Sequence, residues 1–296
     1  MPILIVQPIA MKPLLKIARP LSVSILLLLG LLLGGCGPIS QSMYLAGYDR
    51  DISAGTRAIE TATDDAHRAE AYTKRGDAYS EKARYSRAFK LIPAEEYARL
   101  FGLAIKDHDQ AIALEPASGE AYCRRGQAYY DRAVLEVAPN GTLVGSKADQ
   151  KLWFAPAIAD FRRAIEKDAR HYRAWDSLGL SHETLGELDE AISAYTEEMA
   201  LNPLGRARLA DAYCLRGGSH QKEEEDAAIA DYEKSIETGA SADGCSCDPY
   251  NPLLGLYQKD RRYDQVWEVV RKARSAGKWI ALDLLDKVQK ESGHRN

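Results

Sequence analysis

Two hydrophobic patterns divide the chain. The first is a solid apolar run, Leu21-Ser-Val-Ser-Ile-Leu-Leu-Leu-Leu-Gly-Leu-Leu-Leu33, preceded by Lys12, Lys16 and Arg19, with no acidic residue in positions 1–35. It has the length of a signal-peptide apolar region and falls short of the roughly 20 residues of a membrane span. The second pattern starts near residue 48 and is amphipathic. Apolar residues there recur at three- and four-residue spacing, which predicts successive helices. One stretch departs from it: residues 133–150 hold two apolar runs around Asn140-Gly141, which predicts a small hairpin or loop.

The amphipathic part repeats itself. Ala71-Tyr72-Thr-Lys-Arg-Gly76-Asp-Ala-Tyr79 returns as Ala121-Tyr122-Cys-Arg-Arg-Gly126-Gln-Ala-Tyr129 and Ala212-Tyr213-Cys-Leu-Arg-Gly217-Gly-Ser-His220. Ala174-Trp175-Asp-Ser-Leu178-Gly179-Leu-Ser-His182 is a fourth copy. Each is followed by a second apolar-periodic segment, beginning at Ala104, Ala157, Ala191 and Ala228, and Pro116 and Pro203 close two of these. The pattern resembles the tetratricopeptide repeat, a helix-turn-helix unit of about 34 residues. Aromatic, glycine and aromatic lie along one helical stripe, the glycine admitting the neighbouring helix and the rings filling the gaps. The sequence has 16 tyrosines against 4 Phe and 4 Trp, and this excess reads as packing chemistry.

The resemblance implies an all-α fold, a right-handed α-solenoid of antiparallel helix pairs. The expected units are a capping helix over 48–64, long-insertion units over 65–116 and 117–170, regular units over 171–205 and 206–243, a degenerate unit over 248–277 and a closing helix over 278–293. That closing helix carries Trp279, Leu282, Leu285 and Val288 on one face. From Tyr72 to Tyr122 is 50 residues, from Tyr122 to Trp175 is 53 and from Trp175 to Tyr213 is 38. Against the ideal of about 34, the first two units carry insertions, at 82–103 and 133–150. Pro93-Ala-Glu-Glu reads as a helix start, so lengthened helices are expected in the first.

The N-terminal run ends in Leu33-Gly34-Gly35-Cys36, which resembles the lipobox of bacterial lipoproteins. In that family the chain is cut before the cysteine and its sulfur is acylated, so Cys36 is the expected lipid site and 36–47 a tether. Met11 starts a more usual signal than Met1. Gly37, in place of Asp, implies by the same resemblance an outer-membrane lipoprotein facing the periplasm. Removing 35 residues from 296, three of them cationic, leaves 261 residues and shifts the net charge from −4 to −7. That acidity argues against nucleic acid as a partner, because phosphate neutralisation needs clustered Lys and Arg.

Candidate chemistry is sparse. The segment after residue 35 has no H-E-x-x-H, phosphate-binding glycine loop or G-x-S-x-G motif. No metal site, cofactor beyond the covalent lipid, or small-molecule substrate is expected, nor is an enzyme. His182-Glu183 beside Ser181 resembles a catalytic cluster only in sequence, since helical neighbours point apart. Among the remaining cysteines, Cys214 is expected to pair with Cys245 or Cys247, which follow the second helix of its own unit.

A surface is left. The groove positions of the repeat register hold Glu70, Asp77, Glu81, Glu120, Asp131, Asp176, Glu183 and Asp211, with Arg173 and Lys222 as the only basic residues. The Lys and Asn pattern of a carboxylate clamp is absent: Thr73, Asp77, Cys123, Gln127, Asp176 and Leu180 occupy those places. The expected function is therefore a lipid-anchored envelope scaffold or adaptor. Its partners would be other envelope proteins or peptides, with basic or neutral segments favoured. Alternatives are a pilotin-like assembly factor for an outer-membrane complex, or an envelope hydrolase with its site built by the two insertions.

Overall fold

The computed structural model describes residues 38–137, 145–221, 224–239 and 246–292. The elements are α1 (Pro38–Thr61), α2 (Asp65–Ala88), α3 (Ala94–Leu114), α4 (Gly119–Val137), α5 (Lys147–Lys167), α6 (Tyr172–Leu185) and α7 (Leu188–Leu201). A 3-10 turn over Pro203–Gly205 precedes α8 (Arg206–His220), α9 (Glu225–Thr238), α10 (Tyr250–Lys259), α11 (Tyr263–Ser275) and α12 (Leu282–Ser292). Helices pair in chain order, α2 with α3 through α10 with α11, and each pair packs on the next. The first helices of successive pairs also touch, α2 on α4 and α4 on α6, so they line the inner side of the stack. The architecture is an all-α solenoid. Among the described residues no helix is long and apolar enough to cross a membrane.

Local signals fix the boundaries. The Asp64 carboxylate accepts the His67 N–H at 2.9 Å and caps α2. Ser146 and Asp149 form a reciprocal capping box at the start of α5. Gly186 ends α6 in the left-handed conformation at φ 73°, which a side chain would disfavour.

Four of the pairs lock through a glycine. A Cβ on Gly76, Gly126, Gly179 or Gly217 would meet a ring on the second helix, of His108, Phe161, Tyr195 and Tyr232 respectively, at only 2.5–3.0 Å. Beside that contact, three pairs carry a buried ionic clip. Arg75 donates Nε and Nη2 to Asp107, both at 2.7 Å, Arg125 does the same to Asp160, and Arg216 grips Asp231 at 3.0 and 2.6 Å. The third arm, Nη1, reaches back to the preceding element, at Thr56, Asp109 and Asp189 respectively. Each guanidinium also lies over the tyrosine three residues before it, with 5.6–5.7 Å to the ring centre. The α6–α7 pair has Leu178 and Ala194 in these positions, both buried.

Two expectations need correcting, those for the tether and for the closing helix. The stretch read as a tether is helix from Pro38 on, because Tyr44 and Tyr48 stack on Tyr85 at 5.3 and 5.8 Å. Pro38 costs nothing there, since the first helical N–H has no partner anyway. The expected hairpin has helix on both flanks, through Val137 and from Lys147, and its Asn140-Gly141 centre lies outside the described residues. In the closing element, Trp279 precedes the helix and is 72% exposed, and Leu282 is 70% exposed, so of the four expected residues Leu285 and Val288 face the core, joined there by Leu284. The first insertion lengthens α2 and α3, as expected, and they are joined by a turn in which Lys90 takes φ 53°.

Candidate partner-binding groove

The inner face is built from first helices, and arginines outside the expected register organise it. Arg84 on α2 sits 3.2 Å from Glu81 and 3.4 Å from Asp131 on α4. Arg124 on α4 binds Glu120 at 2.6 Å and approaches Asp77 on α2 at 3.6 Å. Arg208 on α8 donates Nε to Asp176 on α6 at 2.7 Å. Glu120 also meets the His171 ring at 2.9 Å. Glu70 pairs with Lys74, Glu183 accepts the Tyr195 hydroxyl at 2.8 Å, and Asp211 accepts the backbone N–H groups of Ser246 and Cys247.

All eight expected carboxylates are therefore engaged within the chain, which revises the reading of an open acidic groove with two basic residues. Arg173 is exposed and Lys222 lies outside the described residues. The acids and arginines staple neighbouring first helices to one another. Their protonation reflects these settings. Hydrogen bonding to His171 holds Glu120 down at about 2. Desolvation pushes Asp77 and Asp131 up to about 6 and raises Asp176.

One carboxylate is unlike these. Seven residues after Ala104, Ala157, Ala191 and Ala228 on the second helices stand Ala111, Ala164, Glu198 and Ser235, all buried. Glu198 is 3% exposed, where the other three units hold a small side chain. Its Oε1 accepts from Asn202 Nδ2 at 3.2 Å, and its Oε2 has no hydrogen-bond partner. Gly205 makes the room, since a Cβ there would fall 2.0 Å from Oε2. Desolvation, with Asp176 nearby, pushes the Glu198 carboxyl up to about 7. Glu198 lines a cleft between α6 and α8 that also takes in Asp176, Glu183, Arg208, Tyr172 and Leu204. The departure from a small residue was visible in the sequence once the second helices were aligned on their alanines.

The serine–histidine–glutamate run does not converge. Ser181 Oγ donates to the Ser177 carbonyl, His182 Nδ1 meets Glu187 at 2.7 Å, and Glu183 faces Tyr195. Among the described residues no cluster of His, Cys, Asp and Glu suits a metal ion. Cys214 is bonded to Cys247 across 6.1 Å between Cα atoms, and Cys123 is buried as a thiol pushed up to about 12 by desolvation. Cys36, Gly37 and Cys245 lie outside the described residues.

Residues 172–203, the α6–α7 pair with its closing proline, match the tetratricopeptide repeat family. No curated protein matches the chain in sequence. Solved structures similar in fold include MamA, at 21% identity over 69% of this chain and 95% of that one, with a TM-score of 0.43. A thermophilic TPR protein of Thermus thermophilus shows 22% identity over 67% and 87%, with a TM-score of 0.40. YrrB, described as a TPR protein with an unusual peptide-binding site, shows 16% identity over 75% and 92%, with a TM-score of 0.42.

Proposed function

We propose that the chain is a lipid-anchored scaffold of the bacterial cell envelope, held by acyl chains on Cys36 and binding other proteins through the inner face of its solenoid. The carrying observation is the lining of the α6–α8 cleft, open to solvent between two first helices and rimmed by exposed Tyr172 and Leu204. Stacked helix pairs generate extended faces of this kind. The signal-like run and Leu33-Gly34-Gly35-Cys36 support the anchor, and Gly37 supports the outer membrane facing the periplasm. More than one acyl chain gives lasting attachment, at about 0.8 kcal/mol per buried methylene. The scattered partners of Ser181, His182 and Glu183 support a non-enzymatic reading.

The test is photo-crosslinking in the native envelope from probes placed at Lys74 and at Leu204, with mass spectrometry of the products. Discrete protein adducts are expected from the inner face, and their identity separates an adaptor from an assembly factor for an outer-membrane complex. Cys36→Ser is expected to release the protein from the membrane fraction. Absence of adducts at both positions, or membrane retention of the serine variant, overturns the corresponding half of the reading.

A further inference from the structure

We propose that the cleft between α6 and α8 is a receptor for a lysine side chain of the partner protein, with Glu198 as the residue that selects it. The inference rests on the scaffold reading and assigns the chemistry of the segment bound. Three observations converge on Glu198. The equivalent position holds alanine or serine in the other units, where a small buried residue suffices for packing. The carboxylate is 3% exposed with Oε2 unpartnered, a setting that disfavours its charged form unless a donor arrives. Gly205 leaves the space that this side chain fills, so the exception is built into the turn as well as the helix.

The surroundings leave the charge unmatched. Asp176, Glu183, Glu198 and Asp211 share the cleft with one cation, Arg208, whose Nε is already on Asp176, and Asp211 is taken by the Ser246 and Cys247 N–H groups. Glu183 is occupied by the Tyr195 hydroxyl. An incoming ammonium therefore finds one carboxylate without a donor on Oε2. To meet such a donor, the Glu198 side chain swings its carboxylate out from beneath Gly205, where both of its oxygens now lie. A compact ammonium on a flexible stem can follow a carboxylate at the floor of a cleft, where a planar guanidinium would need a second acceptor in its own plane. Tyr172, 40% exposed, and Leu204, 87% exposed, flank the opening and would cover the lysine stem and its apolar neighbours.

The experiment uses the full mature protein in detergent on an array of peptides with randomised flanks. The central residue is lysine, acetyl-lysine, norleucine or glutamate. Lysine-centred peptides are expected to bind about ten-fold better than their acetylated counterparts, the factor that corresponds to 1.4 kcal/mol. Glu198→Gln, which keeps the shape, and Glu198→Ala, which restores the residue found at 111 and 164, are both expected to erase that preference while leaving the helical circular dichroism intact. No preference for lysine, or a preference unchanged in both variants, overturns the assignment. Crosslinks from Lys74 and Leu204 that persist in Glu198→Gln would then leave the scaffold reading standing alone. Their loss along with the peptide signal in a folded variant supports both.

Discussion

The α6–α7 pair and the α4–α5 pair solve one packing problem by different means. In α6–α7 the contact beside the glycine is Leu178 against Ala194, apolar on both sides. In α4–α5 the same two places hold Arg125 and Asp160, a bidentate pair with the aspartate side chain 4% exposed. The apolar version closes on its own pair. The ionic version also reaches back through Nη1 to Asp109 on the preceding helix and over Tyr122, so it fastens neighbouring units as well. The lesson concerns fault tolerance: each apolar half works without the other, whereas each ionic half is a liability alone.

Removing one ionic partner is the strongest way to break this contrast. Asp160→Ala leaves the Arg125 guanidinium with Asp109 alone and should cost about 3 kcal/mol, whereas Arg125→Leu with Asp160→Ala copies the α6–α7 solution and should recover to within about 1 kcal/mol of the parent. Urea unfolding midpoints of both variants decide it. A double variant as weak as the single one would mean the reach to Asp109 matters more than the pair itself.

The glycine contact gives a second, smaller test. Gly179→Ala would press on the Tyr195 ring at 2.5 Å, and overpacking of this kind costs about 1–3 kcal/mol. At Gly217 the Tyr232 ring is 3.0 Å away and needs to yield less, so Gly217→Ala should lower the thermal midpoint by a smaller amount. Equal losses would mean that the two interfaces yield alike.

The last test depends on pH and leaves stability near neutrality almost untouched. His108 occupies the ring position that Phe161, Tyr195 and Tyr232 fill in the other pairs, and burial holds it down at about 3. Between that value and its ordinary 6.5, the unfolded chain binds a proton that the folded chain does not. The stability lost is therefore lost as pH falls from about 6.5 toward 3. His108→Phe should remove that component and flatten the acid limb, with little change at about pH 8. An acid limb identical to the parent's would place the sensitivity elsewhere, with Glu120 the next group to examine, since its carboxyl is held at about 2 and it weakens in the same direction.

What was legible in the sequence follows from what is local. Tyr72, Gly76 and Tyr79 lie on one stripe of one helix, so their spacing alone announced the unit. The clips were present in the same quoted segments, three residues after Tyr72, Tyr122 and Tyr213, yet pairing them with Asp107, Asp160 and Asp231 requires two helices folded together. The ion pairs of the inner face were not legible because a fixed register counts positions, whereas a long arginine reaches from outside it. Arg84 lies in the lengthened part of α2, and Arg208 precedes the repeat motif of its unit. The family match over 172–203 falls on the pair with Leu178 and Ala194, which lacks the ionic clip. For residues 38–47 glycine and serine content suggested slack chain, and packing on Tyr85 overrode it.

The early start of α1 has a mechanical meaning for the proposed anchor. Helix begins at Pro38, two residues beyond Cys36. A leash of that length extends at most about 7 Å, so the solenoid would stand against the bilayer surface and not drift above it. Its height and tilt would then be set by α1 itself, whose Tyr44 and Tyr48 are wedged onto Tyr85. A partner would meet this protein as a fixed bracket, approachable only from the side that the first helices leave open.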